Sequence, residues 1–445
     1  MCGILAIYNY NLNRNHSNVN PNIQEQLKKL QHRGQDSYGY YLYHSDTQEE
    51  LHIKDLGLIK THNITGNYHF GLGHTRYSTS YNKNKNLLEH IQPSAVNNHI
   101  YGKVIFCFNG NINNIEQVAR EFNINYQNIV GFNDTILINH IIQNSRHSNI
   151  ENLWLQIIHS IKGVFNLLIY QVSNNTLYLI KDKTDNRPLC IGKNEDGYCV
   201  SSESVALGDY TYLFEIEGGN ILKINNTGLS NVYSDANFKK YQHKCLFEYI
   251  YLQNKNSKCQ YDVTIEDIRE DLGQELARQE MIKIDISNKK DIVVIGAPNT
   301  AIPIGKKYAE CLDIEYNQFI QKRRGTVRSF IQNNNESRLA ECYRKFELNP
   351  EFSIQDKIVI FVDDSLVRGN TIKTIIDLLS SLKPKELHIR IASPEVKHPC
   401  YFGIDIPTSE ELIMNSYDTL SFSKELKINS LKFLKTENMS YVLKK

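Results

Sequence analysis

Residues 357–376 read KIVIFVDDSLVRGNTIKTII, and this stretch decides the architecture of the carboxyl-terminal half. Ile358–Val362 is an unbroken apolar run of the length and composition of a strand buried on both faces, as in a parallel sheet. Two carboxylates, Asp363 and Asp364, end it. A Ser/Gly/Asn/Thr turn follows, and then apolar residues at helical spacing. At the carboxyl end of a parallel strand, the backbone N–H groups of Ser365 to Thr371 and the helix N-terminus form a cradle for phosphate. The two acids just before it are placed to hold ribose hydroxyls or a divalent cation.

Working outward, DIVVIGAP, TAIPIGKKYAECL, NTIKTIIDLLSSL and ELHIRIAS alternate strand and helix, the order of a doubly wound parallel sheet. Before residue 225 the pattern is different. GILAIY, YHFGLGHTRY, KVIFCFNG and VFNLLIYQV are short strand-like runs separated by Gly and Asn, with a helix near 133–147. Stacked antiparallel sheets with helices are expected there. The change falls near 226–245, and the last thirty residues read as a short appended segment.

The chain opens MCGILAIY. Removal of Met1 would leave the thiol and a free α-amine of Cys2 on one carbon, with ordinary pKa values of about 8.5 and about 7.7–8.0. The amine can then take the thiol proton, directly or through water, which makes a nucleophile and its base from a single residue.

Composition narrows the partners. Fifty Lys and Arg against 49 Asp and Glu give a net charge of +1, so no electrostatic case exists for nucleic acid or an anionic membrane. No stretch is apolar enough to span a bilayer, and the opening lacks the features of a signal peptide. The nine cysteines are scattered without a CxxC pair, several in apolar runs, which fits reduced thiols in a cytoplasmic protein acting on small molecules. Asn-rich tracts such as NLNRNHSNVNPN read as polar loops.

VIFVDDSLVRGNT resembles the phosphoribosyl diphosphate (PRPP) signature of type I phosphoribosyltransferases, and within that class the chain is most similar to the amidophosphoribosyltransferase family. LQHRGQDSYGY, GLGHTRYSTS, FNGNINN, NRPLCIG, SSESVAL, KCLFEYIYLQ and HPCYFGIDIPTSEELI resemble that family's landmarks in the family's order. The resemblance implies a class II glutamine amidotransferase domain at 2–230, an N-terminal-nucleophile hydrolase sandwich of four layers (αββα). It implies an α/β phosphoribosyltransferase domain with a parallel sheet at 245–410, and a short segment at 411–445.

It also implies roles. Cys2 is the nucleophile, and Asn109 through its side chain and Gly110 through its N–H stabilise the oxyanion. Arg76 pairs with the glutamine α-carboxylate, Asp134 receives its ammonium, and Gly34 allows a close backbone approach. Asp363, Asp364, Ser365, Val367, Arg368, Gly369, Asn370 and Thr371 bind PRPP. Thr300, Asp363 and Asp364 are the implied Mg²⁺ ligands. The basic loop QKRRGTVRSFI, with Lys322, Arg323, Arg324 and Arg328, closes over the diphosphate. Glutamine and PRPP are the implied small-molecule partners, with 5-phosphoribosylamine, glutamate and diphosphate as products and ammonia passed between sites away from bulk water. A homo-oligomer is the implied assembly.

The chain departs from the family in places. Of four cysteines that hold an iron–sulfur cluster in many members, two match Cys245 and Cys400 and the other two are missing, so no cluster is expected. Those members make a propeptide before the nucleophile, whereas here removal of Met1 alone is expected to expose Cys2. The family's Pro-Asp-Ser is replaced within Asn254 to Lys258, and with the chain ending soon after LKFLK this leaves the family's purine nucleotide feedback sites unassigned. Two alternatives stay open at this point: a catalytically weak PRPP-binding regulatory homologue, and another class II amidotransferase.

Overall fold

The computed structural model describes residues 2–10, 18–77, 90–125, 134–259, 263–280, 286–323, 346–406 and 408–443. The chain divides into two units. One comprises Met1–Glu248, Leu252–Asp262 and Cys400–Asp405, the other Tyr249–Tyr251, Val263–Pro399 and Ile406–Lys445.

In the first unit the strands are β1 (Gly3–Asn9), β2 (Ser37–Tyr43), β3 (Glu50–Leu56), β4 (Phe70–Arg76), β5 (Ser94–Asn98), β6 (Gly102–Ile112), β7 (Gly163–Gln171), β8 (Thr176–Lys181), β9 (Cys190–Lys193), β10 (Gly197–Ser201), β11 (Thr211–Glu215), β12 (Ile221–Asn225) and β13 (Gly228–Tyr233). The helices are α1 (Asn20–Lys29), α2 (Ile115–Glu121), α3 (Asp134–Asn144) and α4 (Ile150–Ser160). Among the described residues they build a seven-stranded sheet in the order β11-β9-β10-β1-β4-β2-β3 and a six-stranded sheet in the order β13-β12-β8-β7-β6-β5, both antiparallel.

The two-residue period of a strand explains the layering. Ile4, Ala6 and Tyr8 of β1 meet Ile105, Cys107, Leu168 and Tyr170 of the other sheet in a core between the sheets. Leu5 and Ile7 point the opposite way, onto Ile23 and Leu27 of α1. Phe106 and Phe108 of β6 likewise face Leu137, Ile138 and Ile141 of α3 and Leu153, Trp154 and Ile157 of α4. Both faces of both sheets are therefore covered, which gives the αββα order. Each Leu or Ile buried in these layers contributes about 1.5–3 kcal/mol of transfer free energy.

The second unit contains α5 (Ile265–Arg278), β14 (Ile292–Gly296), α6 (Ile302–Leu312), β15 (Glu315–Tyr316), β16 (Ile320–Lys322), β17 (Phe346–Leu348), β18 (Ile358–Asp363), α7 (Asn370–Ser381), β19 (Glu386–Ile391) and β20 (Ser430–Phe433). Among the described residues β15-β14-β18-β19-β20 form one parallel sheet, and β16 pairs with β17. The apolar run of 358–362 is its central strand, and α7 buries Ile372, Ile375, Ile376, Leu378 and Leu379. The expected appended segment is integrated: β20 pairs with β19 at the edge of this sheet.

Candidate active sites

The first site assembles around β1. Cys2 lies just before that strand, where Gly3 pairs with Thr75 of β4, and the thiol reaches Tyr77 O at 3.9 Å. Its backbone nitrogen donates to Asn109 Oδ1 on β6 at 3.3 Å. Burial by itself pushes the Cys2 thiol up. The adjacent His74 first, then the positive chain terminus and the Tyr77 hydrogen bond, together outweigh it and bring the thiol down to about 6.

Asn109 is 2% exposed, and its amide orientation is fixed because Oδ1 also accepts from Arg187 Nη1 at 3.5 Å. Two donors on the oxygen leave Nδ2 as the free end. Among the described residues that buried nitrogen has no hydrogen-bond partner, an arrangement that costs about 1–3 kcal/mol unless a ligand oxygen completes it. Gly110 follows against β7, and a Cβ there would stand 2.3 Å from Val164 O, so no other residue fits without moving the strand.

Asp134 begins α3. Its carboxylate accepts Ile112 N at 3.1 Å, and burial raises it to about 6 against the pull of that bond and of Arg187. Arg76 ends β4, with Nη1 on His90 O at 3.4 Å. Gly34 lies directly on Arg76: an added Cβ would approach its backbone to 2.6 Å. Strand pairing and these contacts gather Cys2, Asn109, Arg76 and Gly34 at one end of the sandwich, and Asp134 binds two residues along β6 from Gly110.

Several participants were missed by sequence reasoning. His74, Arg33 and Arg187 are buried within the motif strings GHTRY, HRGQD and NRPL. A basic residue inside an otherwise apolar or Gly-rich motif was the available signal. Arg187 also donates to Phe402 O at 2.5 Å, so the segment Cys400–Asp405 packs within this unit.

The second site lies at the carboxyl end of β18. Asp364 accepts from Thr300 Oγ1 and, at 2.6 Å, from Ser365 Oγ, and its N–H bonds Asp363 Oδ1 at 2.8 Å. Burial, with Asp364 alongside, pushes Asp363 well above the ordinary carboxylate range. Burial raises Asp364 too, against its hydroxyl donors and Arg269. Adjacent acids undercompensated in this way suit a divalent cation or a pair of ribose hydroxyls. The turn then runs through Val367, whose carbonyl accepts Ile413 N, to Gly369 at φ +76° and the exposed Asn370 and Thr371 opening α7. Arg368 is turned aside in an ion pair with Glu411. Lys322 is exposed at the end of β16 and Arg323 follows it, while Arg324 and Arg328 lie outside the described residues.

Residues 83–209 match the family model of a glutamine amidotransferase domain and 264–397 that of a phosphoribosyl transferase domain. The chain is thus a two-domain enzyme that joins a glutamine amidotransferase to a phosphoribosyltransferase. It is 30% identical to the amidophosphoribosyltransferase of Bacillus subtilis, over 93% of this chain and 84% of that one. The Methanocaldococcus jannaschii amidophosphoribosyltransferase is 29% identical, with 99% and 93% covered. The chain belongs to the amidophosphoribosyltransferase family. Its fold matches the solved B. subtilis glutamine PRPP amidotransferase complexed with ADP and GMP, with TM-score 0.83, 28% identity and coverage of 99% and 92%.

Proposed function

We propose that the chain makes 5-phosphoribosylamine, glutamate and diphosphate from PRPP, glutamine and water, the first step of de novo purine synthesis. The observation that carries the glutaminase half is the oriented Asn109 amide, bonded through Oδ1 to Cys2 N and with its buried Nδ2 unpartnered among the described residues. After removal of Met1, the Cys2 amine takes the thiol proton and the sulfur attacks the glutamine carboxamide carbon. The carbonyl π electrons move to oxygen, where Asn109 Nδ2 and the Gly110 N–H receive the charge. Collapse expels ammonia, the departing nitrogen taking back the proton held on the amine, and water then hydrolyses the thioester to glutamate. Arg76 and Asp134 hold the α-carboxylate and α-ammonium.

In the second half, ammonia attacks C1 of PRPP and diphosphate leaves. Asp363 and Asp364 hold the ribose hydroxyls, the 365–371 turn holds the 5-phosphate, and Lys322 and Arg328 supply positive charge for the diphosphate. Thr300, Asp363 and Asp364 would hold Mg²⁺, which supplies neutralisation of charge on the departing diphosphate. Ammonia reacts only unprotonated, which requires shielding from bulk water. Among the described residues no helix is long and apolar enough to cross a membrane. The resemblance to the family supports a cytoplasmic homo-oligomer.

The test is turnover of PRPP with glutamine and, separately, with ammonium, in wild type and Cys2→Ala. Selective loss of the glutamine reaction is expected. Formation of no phosphoribosylamine from either nitrogen source by the wild type would reverse the reading in favour of a regulatory homologue.

A further inference from the structure

A chain end lacks a preceding residue to hold it and frays unless it is tied down. On the reading above, Cys2 becomes such an end, yet its sulfur and amine must keep their aim on one carbon. The structure ties it from the following side. Gly3 N donates to Thr75 Oγ1 at 3.2 Å and Ile4 N to Ser202 Oγ at 3.0 Å. The Cys2 carbonyl accepts from Arg33 Nε at 3.1 Å.

Arg33 is 3% exposed, and both of its terminal nitrogens are engaged by carboxylates. Nη1 bonds Glu203 Oε1 at 2.6 Å and Glu248 Oε2 at 3.0 Å, and Nη2 bonds Glu248 Oε1 at 2.8 Å. Both glutamates are 1% exposed. Glu203 is itself held by His32 Nε2 at 2.8 Å, Ser257 Oγ at 2.7 Å and Asn254 N at 2.8 Å. A buried ionic cluster gives little net stability over well-packed apolar side chains; what it does give is a single defined geometry. Here that geometry is transmitted to one atom, the carbonyl oxygen of the nucleophilic residue.

We propose that Glu203 and Glu248 are positioning residues for the glutaminase step: by fixing the Arg33 fork they fix the Cys2 carbonyl, and with it the sulfur and the amine. This rests on Cys2 being the nucleophile. Neither glutamate touches the reacting atoms. Their effect is on the alignment of the attack, where a misplacement of about 1 Å costs on the order of 100-fold in rate.

The experiment compares Glu248→Gln, Glu203→Gln and Arg33→Lys in the full chain, with Cys2→Ala as reference, for glutamine-driven and ammonium-driven phosphoribosylamine formation. Arg33→Lys keeps the cation and removes the fork, so it probes the same linkage without altering either acid. The expected result is a glutamine kcat lowered on the order of 10- to 100-fold, with the glutamine KM and the ammonium-driven rate held within about twofold. An unchanged glutamine kcat overturns the proposal. So does a rise in KM alone, which marks substrate binding, or an equal fall of both activities, which marks a role in folding. Glutamine use retained by Cys2→Ala would instead defeat the underlying assignment of the nucleophile, whatever the other variants do.

Discussion

Asn109 Oδ1 accepts the backbone N–H of Cys2 at 3.3 Å, which ties the residue just before β1 in one sheet to β6 of the other. The bond does two things. It anchors the start of the chain, and it turns the amide so that Nδ2 is the group left to meet a developing oxyanion.

Asn109→Asp removes that donor with little change of shape. Its glutamine kcat is expected to fall by about 10²–10³, the usual cost of one oxyanion donor, while ammonium-driven turnover persists. Steady-state kinetics with both nitrogen sources checks this. An equal effect on the two would remove Asn109 from the glutaminase step.

The Cys2 thiol, lowered to about 6 with His74 as the main opposing influence to burial, should be largely thiolate at neutral pH. Alkylation of Cys2 by iodoacetamide, followed by peptide mass spectrometry, should therefore rise through a midpoint near 6 rather than near the ordinary thiol value of about 8.5. His74→Gln should move the midpoint upward. A midpoint unmoved by that change would exclude His74 as the cause.

Asp134 is raised to about 6 by burial, so it is charged above that pH and neutral below it. Only the charged form attracts the glutamine ammonium. The glutamine KM should therefore increase as pH falls through about 6, and Asp134→Asn should remove this limb while raising KM above the wild-type value under mildly alkaline conditions. Loss of a charged hydrogen bond of about 1.5–3 kcal/mol corresponds to roughly 10- to 100-fold. A pH-independent KM in the wild type would contradict the assignment.

Gly34→Ala would drive a Cβ to 2.6 Å from the Arg76 backbone, which only a shift of that strand end can relieve. An increase in glutamine KM is expected, with a loss of stability of about 1–3 kcal/mol. Denaturant melts and glutamine titration would show both. Wild-type values in each would mean that the two segments separate without cost.

Asp363→Asn and Asp364→Asn should weaken PRPP use with glutamine and with ammonium alike, since both nitrogen sources react at the same sugar. PRPP titration at fixed metal concentration reads the effect. Unchanged rates in both variants would reject the ribose site.

The sequence alone determined the elements and the chemistry-bearing side chains: the short apolar run of Ile4–Tyr8, the apolar run of 358–362 ended by two acids, and the thiol at the start of the chain. These are local patterns, and local periodicity is set by backbone geometry. Only the tertiary structure decided which distant charges neutralise one another. Arg33 meets Glu203 and Glu248 across 170 and 215 residues of sequence, and Arg368 is claimed by Glu411 rather than left free beside the phosphate turn. Nor could spacing reveal that Asn109 Nδ2 is unpartnered among the described residues or that burial lifts Asp134, because solvation and hydrogen-bond satisfaction depend on what the fold packs against a group.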